Sequence, residues 1–200
     1  MDTSSKSQTS QSSLIKIPPS IHELREQFFT IQKDRPIILP EAEFNDTFKF
    51  FDNMVVQRQK YEGFDFITEY WSCRLWGSKV PKPRVSPQKR QRVCTTRTPI
   101  GCPYRIRIVR KKGQVTISAL KEPHNHNIEV LQNKLSSGVR EILGEQVSYG
   151  YRPSEIARNL KSSRNGNTEA LELTGNPQPN YKHVWNCGKE WIHQHPDPRI

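Results

Sequence analysis

Cys102, His124 and His126 form the clearest chemical constellation in this sequence. Cys102 precedes His124 by the length of one β-hairpin with short connections, so a hairpin between them would return the chain beside the cysteine. His124 and His126 are separated by one residue, and on an extended segment their side chains point to the same side. Thiolate and imidazole groups are the preferred ligands of structural zinc. The spacing therefore predicts a zinc site that includes these three residues.

The fourth ligand of such a site is open between two cysteines. Cys73 follows residues 64–72, which alternate as a strand that could lie beside the hairpin. Cys94 is closer to Cys102 along the chain and could form a local metal-binding turn. We favour Cys73, because aromatic residues anchor its strand whereas Cys94 falls in a basic loop. The opposing interpretation is an ordinary buried cysteine near two solvated histidines, and the hairpin spacing and basic surroundings weaken it.

Alternating sequence supplies the hairpin that this site requires. Residues 104–110 (YRIRIVR) and 114–120 (QVTISAL) both alternate, and Lys112 and Gly113 lie in the predicted turn between them. Such alternation is typical of strands with one buried face, and it leaves basic side chains on the other face. The residues on that exposed face that we expect to make ordered contacts with a ligand are Arg105 and Arg107.

Helices and a loop are expected before the hairpin. A short helix is predicted over residues 21–29, and a second runs from about 41 to 59. The second helix rests on four apolar residues at intervals of four, three and four, namely Phe44, Phe48, Phe51 and Val55. Residues 77–101 mix Pro, Ser, Gly and basic residues, which predicts a long mobile loop with at most a short strand at its end, and loops of this length are usually either functional or disordered.

The expected architecture is α+β: a small zinc-stabilised antiparallel sheet with a preceding helix, followed by a small helical region. Residues 1–18 are rich in polar residues and are predicted to be disordered. The zinc-dependent domain is expected to span 41–128, and the helical region 136–192. In the latter, helices over 136–149 and 153–162 could form a helix-turn-helix, although simple packing would also explain them. A polar linker, 162–180, separates them from a last helix over 181–192.

Positive charge is concentrated around the candidate zinc site. The chain carries a formal charge of +11, and residues 70–120 contain thirteen Lys or Arg and no Asp or Glu. Localised basic surface is the electrostatic footprint of a protein that binds a phosphate backbone. Duplex DNA is therefore the expected partner. The loop residues expected to reach DNA are Lys89, Arg90 and Arg92, and their surroundings, KPRVSPQKRQR, also fit a nuclear localisation signal.

Several stretches together resemble a known group of zinc fingers. They are FNDTFKFFDNMVVQRQKYEGF, WSCRLWG, IGCPYRIRIV and the final HNH, covering about residues 41–128. This pattern is similar to the far-red-impaired-response type DNA-binding domain, in the WRKY and glial-cells-missing superfamily, which includes N-terminal modules of Mutator-like transposases. The resemblance implies that Cys73, Cys102, His124 and His126 bind zinc and that an exposed strand or loop enters a DNA groove. The WRKYGQK strand is absent, so its base contacts are not carried over.

The sequence favours a binding protein over an enzyme. The HNH tripeptide does not match HNH nucleases, whose three residues are dispersed through a larger motif, and no Gly-rich phosphate loop or nucleophile elbow is present. We therefore expect a nuclear, sequence-specific DNA-binding protein, either a transcription factor or a transposase-derived regulator. The alternatives are a zinc-scaffolded adaptor for RNA or protein and a DNA-binding fragment of a transposase. No membrane partner is expected, because no apolar stretch is long enough to span a bilayer.

Overall fold

A computed structural model describes residues 14–77, 99–131, 134–162 and 166–196. Within these ranges the fold is α+β, as predicted, with a five-stranded antiparallel sheet and six α-helices. Of the segment predicted to be disordered, 1–18, the part up to residue 13 lies outside the described residues. The prediction is wrong for the described end of this segment, because Ile15 is buried and the backbone N–H groups of Leu14 and Ile15 donate to Asn167 Oδ1. The ordered chain thus begins earlier than expected.

The sheet has the strand order β1-β5-β4-β3-β2. Its strands are β1 (Ile37–Pro40), β2 (Val55–Glu62), β3 (Phe66–Cys73), β4 (Arg105–Lys111) and β5 (Gln114–Ala119). The predicted β4–β5 hairpin is confirmed. Its turn residues Lys112 and Gly113 both have positive φ, 50° and 74°, as a two-residue type I′ turn requires.

The helix predicted over 41–59 is wrong beyond its first half. α2 (Glu41–Phe48) is followed by a 3-10 turn at Asp52–Met54, and the chain then enters β2, where Val55 pairs with Cys73. The four apolar residues on which the prediction rests are all buried, but they reach the core from α2, from the turn that follows it and from β2. These buried residues are therefore spaced as on a helix although the chain does not form one continuous helix here.

The remaining helices are α1 (Ile21–Thr30), α3 (Ser137–Ser148), α4 (Pro153–Leu160), α5 (Asn167–Leu173) and α6 (Tyr181–Gln194). The helices expected near 21–29, 136–149, 153–162 and 181–192 are thus confirmed. The polar linker expected over 162–180 is corrected, because α5 lies within it and buries Ala170 and Leu171. Within the described ranges, no helix combines the length and apolarity needed to cross a bilayer.

One core connects the sheet to the helices. Aromatic rings fill its centre, with Phe28 5.2 Å from Phe51 and Phe48 5.3 Å from Trp71 between ring centroids. The sheet begins before the expected boundary at residue 41, because β1 pairs with β5. Buried polar contacts also cross to the helical region: Asn176 Nδ2 donates to the Phe50 carbonyl at 3.3 Å. The two expected domains therefore share a core.

Candidate metal centre and the adjoining basic face

Four side chains from three parts of the chain meet at one end of the sheet. They are Cys73, Cys102, His124 and His126, and their ligand atoms all lie within 4.8 Å of one another. Cys73 Sγ is 3.3 Å from His126 Nε2, and Cys102 Sγ is 3.3 Å from His124 Nδ1. The structure thus brings together the four predicted ligands, in an arrangement consistent with a metal site. The alternative ligand, Cys94, lies outside the described residues.

Backbone hydrogen bonds hold the two cysteines beside each other. Cys73 is the last residue of β3, and its N–H donates to the Tyr104 carbonyl just before β4. The Leu75 carbonyl accepts from Cys102 N, while Leu75 N–H donates to Cys73 Sγ at 3.3 Å. Gly101 has a φ of 72°, a left-handed conformation that glycine adopts without a steric penalty. The Gly-Cys pair therefore places the second sulfur opposite the first.

The His124 ring is sandwiched between two aromatic rings. Phe29 stacks on it with a centroid separation of 4.2 Å, and Tyr104 stacks on it at 3.7 Å. Phe29 belongs to α1, and the hydroxyl of Tyr104 donates to the Phe28 carbonyl in the same helix. The stacking of Phe29 on His124 was not predicted from the sequence, because no pattern of residues in α1 indicates a contact with a histidine almost a hundred positions along the chain. α1 thus supports the ring of a candidate metal ligand.

His126 is oriented by its own backbone neighbourhood. Its Nδ1 lies 2.9 Å from the Asn127 carbonyl, so Nδ1–H donates there and the Nε2 lone pair faces the cluster. His124 Nδ1 lies 3.1 Å from that Nε2, and the other nitrogen of His124, Nε2, is buried without a hydrogen-bond partner among the described residues. Two nitrogen and two sulfur donors thus converge without a carboxylate among them. This donor set fits a metal cation.

The protonation states of Cys102 and His124 suit metal binding. Hydrogen bonding from Cys73 lowers the pKa of Cys102, while the same hydrogen bond together with burial raises the pKa of Cys73. The pair therefore favours a thiolate at Cys102, the form of cysteine that binds metals. Burial lowers the pKa of His124, which favours the neutral imidazole that donates a lone pair.

Comparisons of this chain with protein-family models, with curated proteins and with solved structures find no match.

One face of the sheet has no acidic residue in its strands, and Asp65, in the turn between β2 and β3, reaches only the end of that face where it contacts Lys111 at 3.2 Å. Strand pairing places Arg105 opposite Ser72, and it places Arg107 opposite Tyr70 and Ser118, all on the face turned away from the core. The residues that share this face through the register include no Asp or Glu. We call this surface the outer face. The outer face begins next to the four candidate metal ligands, since Arg105 follows Cys102 by three residues.

The arginines of β4 differ in what they contact. Arg105 and Arg107 have no ion-pair partner in the described part of the chain, and Arg107 is exposed. Arg110 instead points to the core side, where it contacts Glu41 at 3.3 Å and Asn45 Oδ1 at 2.8 Å, with its guanidinium 4.8 Å from the Phe44 ring centroid. Arg110 is therefore a structural residue, whereas the two predicted contact residues are available to a ligand.

A second pair of outer-face residues was missed by the sequence analysis. A β-bulge in β2 between Gln57 and Gln59 turns Arg58 outward, and its Nε donates to Ser72 Oγ at 2.7 Å. Its guanidinium lies 5.0 Å from the Trp76 ring centroid, and that of Arg105 lies 4.5 Å away. The polar run QRQKY could have signalled an exposed strand here, but the helical spacing of the phenylalanines concealed it. The remaining predicted contacts lie outside the described residues: Lys89, Arg90 and Arg92.

The helical region contains the predicted pair of consecutive helices. α3 ends at Ser148 and α4 begins at Pro153, with Gly150 in the turn at a φ of 90°. On α4, Ile156, Ala157 and Leu160 are buried, so this face packs against the core. Packing therefore accounts for the pair, and a helix-turn-helix role stays a prediction.

Proposed function

We propose that the Cys73, Cys102, His124 and His126 cluster binds a structural zinc ion. Zinc–nitrogen distances of roughly 2.0–2.1 Å and zinc–sulfur distances of about 2.3 Å imply separations of about 3.3–3.8 Å between ligands at the corners of a tetrahedron. The observed nitrogen–sulfur separations of 3.3 Å and the nitrogen–nitrogen separation of 3.1 Å are close to that range. Thiolate and imidazole donors also favour zinc over magnesium or calcium, which prefer oxygen. When bound, zinc would cross-link the end of β3 to both ends of the hairpin.

We further propose that the protein binds duplex DNA sequence-specifically through the outer face, with further contacts from the basic residues predicted between Cys73 and Cys102. The observation that carries this proposal is the pair of arginines without ion-pair partners in the described residues, Arg105 and Arg107, on a face whose strands carry no acidic residue, next to the candidate metal site. Arginine at such positions binds phosphate and can bind the edge of guanine in two hydrogen bonds. Phosphate contacts that release counterions would supply most of the affinity.

The biological role we propose is that of a transcription factor or transposase-derived regulator in the nucleus. This role is supported by the localised basic charge and by the family resemblance of residues 41–128. In it, Lys89, Arg90 and Arg92 would add contacts from the loop between Cys73 and Cys102. The proposal assigns zinc a structural role and involves no catalytic residue.

The zinc proposal is tested by the metal content of purified variants, measured by inductively coupled plasma mass spectrometry. We expect about one zinc per wild-type chain and its loss in Cys102→Ser and His126→Ala, because each removes one of four ligands. Cys187→Ser is the matched control, since Cys187 is a buried cysteine outside the cluster. Cys94→Ser should also retain zinc. Full zinc in Cys102→Ser, or loss of zinc in Cys94→Ser, would contradict the assigned ligands.

The DNA proposal is tested by selecting bound duplexes from a random pool and then measuring affinity against salt concentration. Arg107→Ala should weaken binding to all sequences and reduce the slope of log affinity against log salt by about one. Lys182→Ala removes the same charge from an exposed position on α6 and should leave both quantities unchanged. A wild-type protein with no preferred duplex and no salt dependence would instead indicate an adaptor.

A further inference from the structure

A small groove opens on the outer face where β2, β3 and β4 meet Trp76. Its volume is about 280 Å³, and its lining includes Arg58, Gln59, Tyr70, Ser72, Trp76 and Arg105. We call it the Trp76 groove. It carries two guanidinium groups and no carboxylate, whereas three other cavities of the described structure each include an Asp or Glu in their lining. Charge complementarity therefore favours an anionic occupant.

The aromatic part of the groove restricts the kind of anion. Trp76 is 38% exposed, and the guanidinium groups of Arg58 and Arg105 both lie over its ring, so the exposed part of the indole and the two planar guanidinium groups form one stacking surface. Tyr70 adds a second ring, and Gln59 supplies both a hydrogen-bond donor and an acceptor. A phosphate alone would use only the arginines. A ligand with a flat ring beside its phosphate would use all of these groups at once.

We propose that the Trp76 groove binds an unpaired nucleotide of a single-stranded nucleic acid. Its base would stack against the surface formed by Trp76 and the guanidinium groups over it, and its phosphate would contact the N–H groups of Arg58 or Arg105. A base within a duplex already has both faces covered by its neighbours, so only an unpaired base can enter such a groove. The bulge in β2 contributes directly, because it turns Arg58 towards Trp76.

This inference goes beyond the proposed duplex contact and does not depend on it. Arg105 belongs to both sites, but Arg107 lies on the outer face without lining the groove, and Trp76 lines the groove without being a proposed duplex contact. The two ligands can therefore be separated by substitution. If the protein did not bind duplex DNA, single-strand binding in the groove could still be measured. If the groove did not bind a single strand, duplex binding could still be measured.

The test measures anisotropy of a labelled oligothymidylate of about ten nucleotides, which spans a typical single-strand site. A labelled duplex is measured in parallel at the same salt concentration. We expect Trp76→Ala to weaken oligothymidylate binding about tenfold or more while duplex affinity changes less than about twofold, because one stacked base is lost. Trp76→Phe should retain most of the affinity. Trp185→Ala, which removes an exposed tryptophan from α6, should have no effect.

A second measurement uses the unmodified protein and so does not depend on how a variant folds. Oligothymidylate containing 4-thiothymidine is cross-linked by light, and the modified peptide is identified by mass spectrometry. We expect the cross-link at Tyr70 or Trp76. Cross-links confined to other peptides, equal weakening by Trp76→Ala and Trp185→Ala, or displacement by a phosphotyrosine peptide but not by thymidine monophosphate would overturn the proposal.

Discussion

At the scale of single residues, the environment of His124 distinguishes this site from a generic set of four ligands. The imidazole lies between Phe29 of α1 and Tyr104, so turning or tilting the ring would displace one of these two side chains. Groups that surround and orient the ligands of a metal influence its affinity. The N-terminal helix is thus part of the candidate metal site although it supplies no donor atom.

The hydroxyl of Tyr104 provides a direct test of that connection. It donates to the carbonyl of Phe28, which lies in the last turn of α1 and lacks a helical donor. Tyr104→Phe should lower the free energy of unfolding by about 1–2 kcal/mol, because a buried acceptor loses its partner. Urea unfolding of the zinc-bound protein measures this change. Tyr61→Phe is the matched control at an exposed tyrosine and should change stability by less than about 0.5 kcal/mol.

The sequence was most informative about the residues of the candidate metal site. Hairpin spacing brought His124 and His126 back to Cys102, and Cys73, at the end of the aromatic strand, lies with them in the described structure. The aromatic sandwich could not be predicted. It depends on how α1 docks against the sheet, and no local pattern around Phe29 encodes a contact with a histidine so far along the chain.

At the scale of secondary structure elements, the hairpin turn carries an identifiable local strain. Lys112 has a φ of 50°, in the left-handed region where a side chain is disfavoured. Lys112→Asn should stabilise the protein by about 0.5–1 kcal/mol, because Asn-Gly is the preferred type I′ sequence. Thermal unfolding would show the gain. Lys121→Asn, which makes the same chemical change outside the turn, should show none, and equal effects of both substitutions would contradict this explanation.

The prediction of secondary structure was wrong where tertiary packing outweighed the helical spacing of apolar residues. The phenylalanines of residues 44–51 suit a helical face, yet the chain leaves the helix after Phe48 and continues into β2. β2 is stabilised by pairing with β3, a contact that helical periodicity cannot reveal. The same limitation hid α5, whose short apolar stretch lies within a polar segment. The β4–β5 hairpin was predicted correctly because its alternation and turn are both local.

At the scale of the whole molecule, the sheet and the helical region are joined by buried polar contacts. Asn176 Oδ1 accepts from Ser136 N at 2.6 Å, and Asp52 Oδ1 accepts from Ser137 N at 2.9 Å at the start of α3. Gly188 also lets α6 approach α3 closely, since a Cβ there would lie 2.5 Å from Val147 Cγ1. The boundary expected after residue 128 therefore falls inside a shared core.

This shared core predicts cooperative unfolding of the described structure. Transitions followed by tryptophan fluorescence and by far-ultraviolet circular dichroism should coincide in denaturant. Asn176→Ala should shift both together, lowering the free energy of unfolding by about 2–3 kcal/mol, because several buried groups lose their partners. Asn186→Ala, at an exposed position on α6, should leave them in place. Two separate transitions would instead support independent sheet and helical domains.

The central claim is that a zinc ion at Cys73, Cys102, His124 and His126 holds the surface that binds DNA. The most direct test is the anisotropy of a selected, labelled duplex with zinc-bound protein, with chelator-treated protein and after zinc is restored. We expect affinity to be lost on chelation and recovered with zinc, whereas magnesium should not restore it, since it disfavours sulfur ligands. Unchanged duplex affinity in the zinc-free protein would contradict the claim.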